Sequence, residues 1–266
     1  MENMLGVDKI HEYAVKLGLA GKTGIDLPSE QESLVPSTEW KLQRTGEKWY
    51  AGETISVAIG QGQVSVTPAG MAKMIATVAN GGTPVTPHVI RAVDEGQGWK
   101  MVGPPVIADQ IAFRPDTMTA IRDGLWMVVN GAGTGGRARI PGRDVSGKTG
   151  TAQVFTVKQN EKYNAAQIDE RMRDHALFIA FAPADEPKVA LAMVVENSGF
   201  GAQNAAPIAR RVFDFVILGQ YPSEEDIAAV QKGQATRPIG KPRDVASVPW
   251  PPKTITANAA PIPEKP

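Results

Sequence analysis

The sequence predicts an α+β protein, an antiparallel sheet flanked by helices, and three stretches carry that prediction. Two strongly apolar runs, 175–181 and 189–195, are separated by Asp185-Glu186-Pro187, the pattern of a β-hairpin. A further extended stretch runs from Arg143 to Val154, with Lys148-Thr-Gly-Thr151 set between β-branched neighbours. After Asn204, a candidate cap, Ile208, Val212, Phe215 and Val216 recur at helical spacing, which turns them inward, and Gly219 stops the pattern. Strands covered by such a helix make one layered unit.

The totals bound the class. The chain has 266 residues, enough for one large domain or two small ones, and is 42% hydrophobic and 21% charged, as soluble globular proteins are. Its formal net charge is zero, so nothing in the balance points to nucleic acid or an anionic membrane surface as partner. There is no Cys, which excludes disulfides, cysteine metal sites and thiol catalysis. His11, His88 and His175 are far apart in sequence, so no metal site is expected. No cofactor is expected either. No apolar run is long enough to cross a bilayer, and Met-Glu-Asn-Met is not a signal peptide.

The remaining elements follow in order. Residues 7–19 read as a helix with Ile10, Tyr13, Ala14 and Leu17 on one face, His11 on the outer face, and Gly18 and Gly21 as its stop. Residues 23–28 form a loop with a short extended piece. Pro36-Ser37-Thr38-Glu39-Trp40 starts a helix capped by Ser37. Trp40, Trp49 and Tyr50 pin a long polar loop to the domain. Residues 54–59 alternate like a strand, which Gly60-Gln61-Gly62 breaks. Thr67-Pro68 is a cap with proline in the first turn. The helix it opens has a core stripe of Met71, Met74, Ile75 and Val78, and Asn80-Gly81-Gly82 ends it. Residues 83–91 are extended, confined to a sheet edge by Pro84 and Pro87, and 94–98 is a surface turn. Residues 115–130 are a second clear helix, with Met118, Ile121, Leu125 and Val128 on one face and Asn130-Gly131 as the stop. The glycine run 131–136 follows a helix, whereas a phosphate cradle follows a strand and precedes a helix, so it reads as a flexible loop leading toward Lys148. A polar insert at 158–164 and a short charged helix at 165–173 come next. From Tyr221 scattered prolines change the composition, so the chain divides into 1–220 and a disordered or extended tail, 221–266.

The stretch around Lys148 carries the chemistry. Alternate side chains of a strand share a face, so Lys148 and Gly150 point one way and Thr149 and Thr151 the other. Gly150 lets another backbone or a ligand approach closely. Such a strand can pair with an extended peptide along its edge and set a cation beside the peptide's carboxylate.

Several stretches together resemble one family. They are Thr23-Gly-Ile-Asp-Leu-Pro28, Trp49-Tyr-Ala-Gly-Glu-Thr54, Ile59-Gly-Gln-Gly62 with Thr67-Pro68, and Gly147-Lys-Thr-Gly-Thr-Ala-Gln-Val154. They are similar to class B penicillin-binding proteins, whose marks include Lys-Thr-Gly. Lys162-Tyr-Asn164 and Arg171-Met-Arg-Asp-His-Ala176 resemble the penicillin-binding protein 2 branch, the transpeptidases of cell elongation. The resemblance covers about residues 1–220. It implies a partial penicillin-binding-protein transpeptidase fold of the serine β-lactamase type. It also implies a peptidoglycan D,D-transpeptidase that cross-links stem peptides through a serine acyl-enzyme, and that β-lactams trap. By the same resemblance, Lys148 holds positive potential near the substrate carboxylate and helps proton transfer. Thr149 and Thr151 lie along the substrate strand with a hydroxyl for that carboxylate, the Thr151 N–H is an oxyanion donor, and Gly150 leaves room for the ligand. The implied partners are peptidoglycan stem peptides, β-lactams and an elongation-complex glycosyltransferase. The implied place is the periplasmic face of the inner membrane, reached through an anchor outside this chain.

One departure matters. None of Ser29, Ser33, Ser37, Ser56, Ser65, Ser146, Ser198, Ser223 and Ser247 has Lys three residues on, and no Ser-x-Asn or Ser-x-Asp occurs. In the family both motifs precede the helix at 7–19. The chain therefore reads as the C-terminal part of a transpeptidase domain, inactive alone because acyl transfer needs an activated serine beside its base. Two alternatives stay open: a non-catalytic module that binds a partner of the wall-synthesis complex, and a β-lactamase-like hydrolase.

Overall fold

The computed structural model describes residues 5–103, 106–154, 168–234 and 237–248. Helix α1 is Val7–Lys16, and Gly18, at φ +79°, turns the chain away. His11 is half-buried, its Nδ1 2.6 Å from the Val35 carbonyl, rather than on an outer face. Helix α2 is Thr38–Thr45, with the expected Ser37 cap accepting from the Trp40 N–H.

Residues 54–59 are not a strand. Helix α3 is Ala51–Ala58. Its first turn is closed by the Glu53 carboxylate accepting from the Tyr50 N–H at 2.9 Å, while the Lys41 ammonium donates to the same carboxylate at 2.7 and 2.9 Å. A carboxylate that satisfies orphan N-terminal amides starts a helix whatever the alternation downstream. Lys41 is itself buried, over the rings of Trp49 and Tyr50, which gives those aromatics a cation to pack on.

Helix α4 is Pro68–Ala79, capped by Thr67 as expected, with Met71, Ile75 and Val78 buried and Met74 half-buried. Strands β1 (Ala92–Asp94) and β2 (Trp99–Met101) form a short hairpin around the expected surface turn; 83–91 contributes only an isolated bridge from Val85 to Ile107. Helix α5 is Pro115–Asn130, as predicted, but its buried residue is Val129, and Ile121 is exposed.

The central sheet contains β3 (Ser146–Ala152), β4 (His175–Ala182) and β5 (Val189–Val195), antiparallel in the order β3-β4-β5. Helix α6 is Ala205–Leu218, ended by Gly219 at φ +62°. Ala176, Phe178 and Ala180 pack on Ala205, Ala206, Ala209 and Phe213 of α6, while Phe181 and Ile179 pack on Ile75 and Ala79 of α4 and Leu125 of α5. The sheet is thus a middle layer, with α6 on one face and α4 and α5 on the other. The inward face of α6 differs from the expected one: Val212 and Val216 are exposed, and small alanines line the contact. Asn204 begins α6, but its side chain donates to the Ser198 carbonyl instead of capping.

The charged helix expected at 165–173 is, within its described part, one 3-10 turn at Glu170–Met172; residues 155–167, with the insert, lie outside the described residues. Residues 221–234 and 237–248, expected to belong to a tail, carry regular structure instead. Strands β6 (Gln220–Tyr221) and β7 (Arg243–Asp244) flank helix α7, Glu224–Gln231. Asp226 is fully buried and receives the Arg211 guanidinium through two bonds, of 2.7 and 2.6 Å. Composition hid this, because the pairing joins a polar helix to a buried arginine on α6. Residues 249–266 lie outside the described residues.

Candidate active site

β3 lies at the edge of the sheet and pairs with β4 alone among the described strands. Lys148 stands opposite Ile179 and Gly150 opposite Leu177; Thr149 stands opposite Phe178 and Thr151 opposite Ala176. Antiparallel partners share a face, so Lys148 and Gly150 lie on the α4/α5 side and the two threonines on the α6 side, as the alternation predicts. The register is strongly held. A one-residue slip would carry Lys148 into the fully buried layer of Ala176, Phe178 and Ala180, where an unpaired ammonium is very unfavourable.

Lys148 is exposed, and its Nζ donates to the Thr149 carbonyl at 2.7 Å. Ser146, two residues earlier, is buried, so it is no accessible nucleophile. At Gly147 a Cβ would come within 2.6 Å of the Ile179 carbonyl oxygen and 2.8 Å of the Ala180 Cβ, so this glycine is set by packing. At Gly150 the nearest atom to a Cβ would be Leu177 Cβ at 3.2 Å.

Two segments not counted among the expected site residues reach this strand. The first is the glycine run after α5, expected to be flexible. It turns tightly, with the Gly135 N–H bonded to the Val128 carbonyl at 2.8 Å, and Thr134 Oγ1 lies 2.6 Å from Thr149 Oγ1. The second is the turn before α6. A Cβ on Gly201 would fall on the carbonyl oxygens of Leu177 and Gly150, so this turn runs directly against the β3–β4 pair. The density of glycines was a visible signal in both; what they approach was not.

Among the described residues no group of three or more His, Cys, Asp or Glu could hold a metal ion.

The model of the penicillin-binding protein transpeptidase domain matches residues 1–214. The chain belongs to the penicillin-binding protein transpeptidase family. Within that family, peptidoglycan D,D-transpeptidase MrdA of Acinetobacter baumannii is 40% identical over 218 residues, covering 82% of this chain and 32% of the relative. MrdA of Escherichia coli K12 is 38% identical over 221 residues, covering 81% and 34%. The solved penicillin-binding protein 2 of Pseudomonas aeruginosa, in complex with WCK 5153, superposes with a TM-score of 0.68 at 34% identity, covering 83% of this chain and 44% of that one. The complex of penicillin-binding protein 2 and MreC from Helicobacter pylori gives 0.64 at 29% identity, covering 81% and 37%. The transpeptidase fold and the likeness to penicillin-binding protein 2 expected from the motifs are therefore both found. This family member spans about a third of the length of the curated relatives it matches.

Proposed function

We propose that this chain carries the substrate-strand part of a peptidoglycan D,D-transpeptidase site that works in cell elongation. The observation that supports the reading best is Lys148 standing exposed on an edge strand. An extended D-Ala-D-Ala stem peptide, or a β-lactam imitating it, adds to the open edge of β3 through main-chain hydrogen bonds. Lys148 draws the terminal carboxylate and assists proton transfer. Thr149 and Thr151 flank it, the Thr151 N–H is aimed at the oxyanion of acyl transfer, and Gly150 keeps the approach clear. The serine and its base come from outside these 266 residues, since no serine in the chain has the required lysine.

Two further parts of the reading rest on relatives. The Helicobacter pylori relative was solved with MreC, and another similar structure concerns coordination of polymerization and crosslinking by a peptidoglycan synthase complex. We extend this to an elongation-complex glycosyltransferase as partner, at the periplasmic face of the inner membrane. No described helix is long and apolar enough to cross a membrane.

Two measurements test the proposal. Titrating an N-acylated D-Ala-D-Ala into the chain should shift the amide resonances of Gly150 and Thr151; shifts confined to other surfaces, or none, overturn it. A fluorescent penicillin should leave no covalent adduct on the chain alone, and a stoichiometric adduct would refute the assignment of the nucleophile elsewhere.

A further inference from the structure

The glycine loop after α5 makes a contact with the substrate strand that the proposed roles do not use. Thr134 Oγ1 sits 2.6 Å from Thr149 Oγ1 although the two are fifteen residues apart. The glycines around Thr134 explain how it gets there. A Cβ on Gly131 would lie 2.8 Å from the Met127 carbonyl oxygen, one on Gly133 would fall on Val128 Cα, and one on Gly135 would lie 3.1 Å from Val129 Cγ2. None of these three has a positive φ, so their purpose is space rather than backbone freedom. They let the loop lie directly on the last turn of α5. Its far end is held by Ala138, which is fully buried, and by the Arg137 guanidinium donating to the Gln203 carbonyl at 3.2 Å. Thr134 is the residue this close-packed loop presents to β3.

We propose that Thr134 is a positioning residue for carboxylate recognition: it donates its hydroxyl proton to Thr149 and so leaves the Thr149 proton free for the substrate carboxylate. The inference rests on the reading of β3 as the substrate strand. A hydroxyl has one proton and two lone pairs, so a pair of hydroxyls sharing one bond has two possible polarities. With a carboxylate bound, only the Thr134-to-Thr149 polarity lets Thr149 donate onward, and each bond in such a relay strengthens the next. Lys148 supplies the charge and Thr149 the directed bond. Thr134 decides whether that bond points correctly.

The test compares the whole chain with three single variants and one double variant, using N-acetyl-D-alanyl-D-alanine and its C-terminal amide as probes and amide chemical shifts at Gly150 and Thr151 as readout. Unsubstituted chain should bind the acid more tightly than the amide. Thr134→Val keeps the shape but removes the proton, and should lower that acid-to-amide ratio by about three- to tenfold. Thr134→Ser should restore it to within about twofold, which a purely structural role of the methyl would not do. Thr149→Val should lower the ratio as well, and adding Thr134→Val to it should change nothing further. An unchanged ratio in Thr134→Val, or additive losses in the double variant, overturns the inference while leaving the proposed function standing. If the unsubstituted chain shows no preference for the acid, the proposed function fails first and the inference falls with it.

Discussion

Gly147 and Gly150 lie three residues apart on β3 and answer to different constraints. At Gly147 a methyl would meet the Ile179 carbonyl, Ala180 and, at 2.9 Å, the ring of Phe178, all of them in the packed sheet. Gly147→Ala should therefore destabilise by about 1–3 kcal/mol. The thermal midpoint should drop about 2–4 °C for each kcal/mol. At Gly150 the nearest atom to a methyl is Leu177 Cβ at 3.2 Å, a milder contact that a shift of a few tenths of an ångström relieves. Gly150→Ala should leave the melt within about 0.5 kcal/mol of the parent. Its methyl would stand on the Lys148 side of the strand, so affinity for an N-acylated D-Ala-D-Ala should suffer. Equal loss of stability in both variants would remove the distinction between a packing glycine and an access glycine.

Helix α7 is held to α6 by chemistry that its apolar content does not supply. Beyond the paired bonds from Arg211, Asp226 accepts from the Ile239 N–H at 3.2 Å, and its own N–H donates to Ser223 Oγ at 3.0 Å. Ser223 Oγ in turn donates to the Ile239 carbonyl at 2.8 Å. Asp226→Ala would leave the buried Arg211 without its carboxylate, a loss of about 3–5 kcal/mol. Urea denaturation should register it, and a midpoint unchanged from the parent would mean that α7 is a passive appendage. At the other end, α3 depends on Glu53. The Lys41 hydrogen bond, followed by that from the Tyr50 N–H, holds its carboxyl below the usual glutamate value. A depressed carboxylate contributes stability above its unfolded pKa and loses it as pH falls. Protection factors of the Ala51–Ala58 amides, taken against their intrinsic exchange rates at each pH, should accordingly fall in acid and stay high at neutral pH.

Across the molecule, the carboxylates with depressed pKa values lie outside the central sheet. Glu12 is brought down to about 2 by Lys16 and Lys9. Glu30 is lowered by the Thr23 hydroxyl, and Asp26 by the Val89 amide, which it accepts at 2.7 Å. All shift in one direction, so each contributes stability above the ordinary carboxylate range and releases it below. The melting temperature should be flat near neutrality and fall progressively in acid. Hydrogen exchange should show residues 23–30 and 88–90 loosening before β3, β4 and β5. A sheet that opened first would place the acid sensitivity elsewhere. The same division governs what was legible beforehand. The hairpin of β4 and β5, the caps at Ser37 and Thr67, and the span of α5 were all readable, because each is written in neighbouring residues. Helix α3 was not, since its alternation mimics a strand, and the Glu53 carboxylate that closes its first turn on the Tyr50 N–H is held by Lys41, twelve residues away.

By itself the sequence determined the α+β class, the extended stretch at Lys148 and the two faces of that stretch, because strand periodicity is a local property of the backbone. Only the tertiary structure decided which face of α6 turns inward. Close approach of a helix to a sheet selects small residues such as Ala205, Ala206 and Ala209, whereas periodicity alone favours the larger Val212 and Val216. It also decided that β3 has β4 as its one strand partner among the described residues and that Thr134 meets Thr149, since both depend on which distant segments come to rest beside that strand.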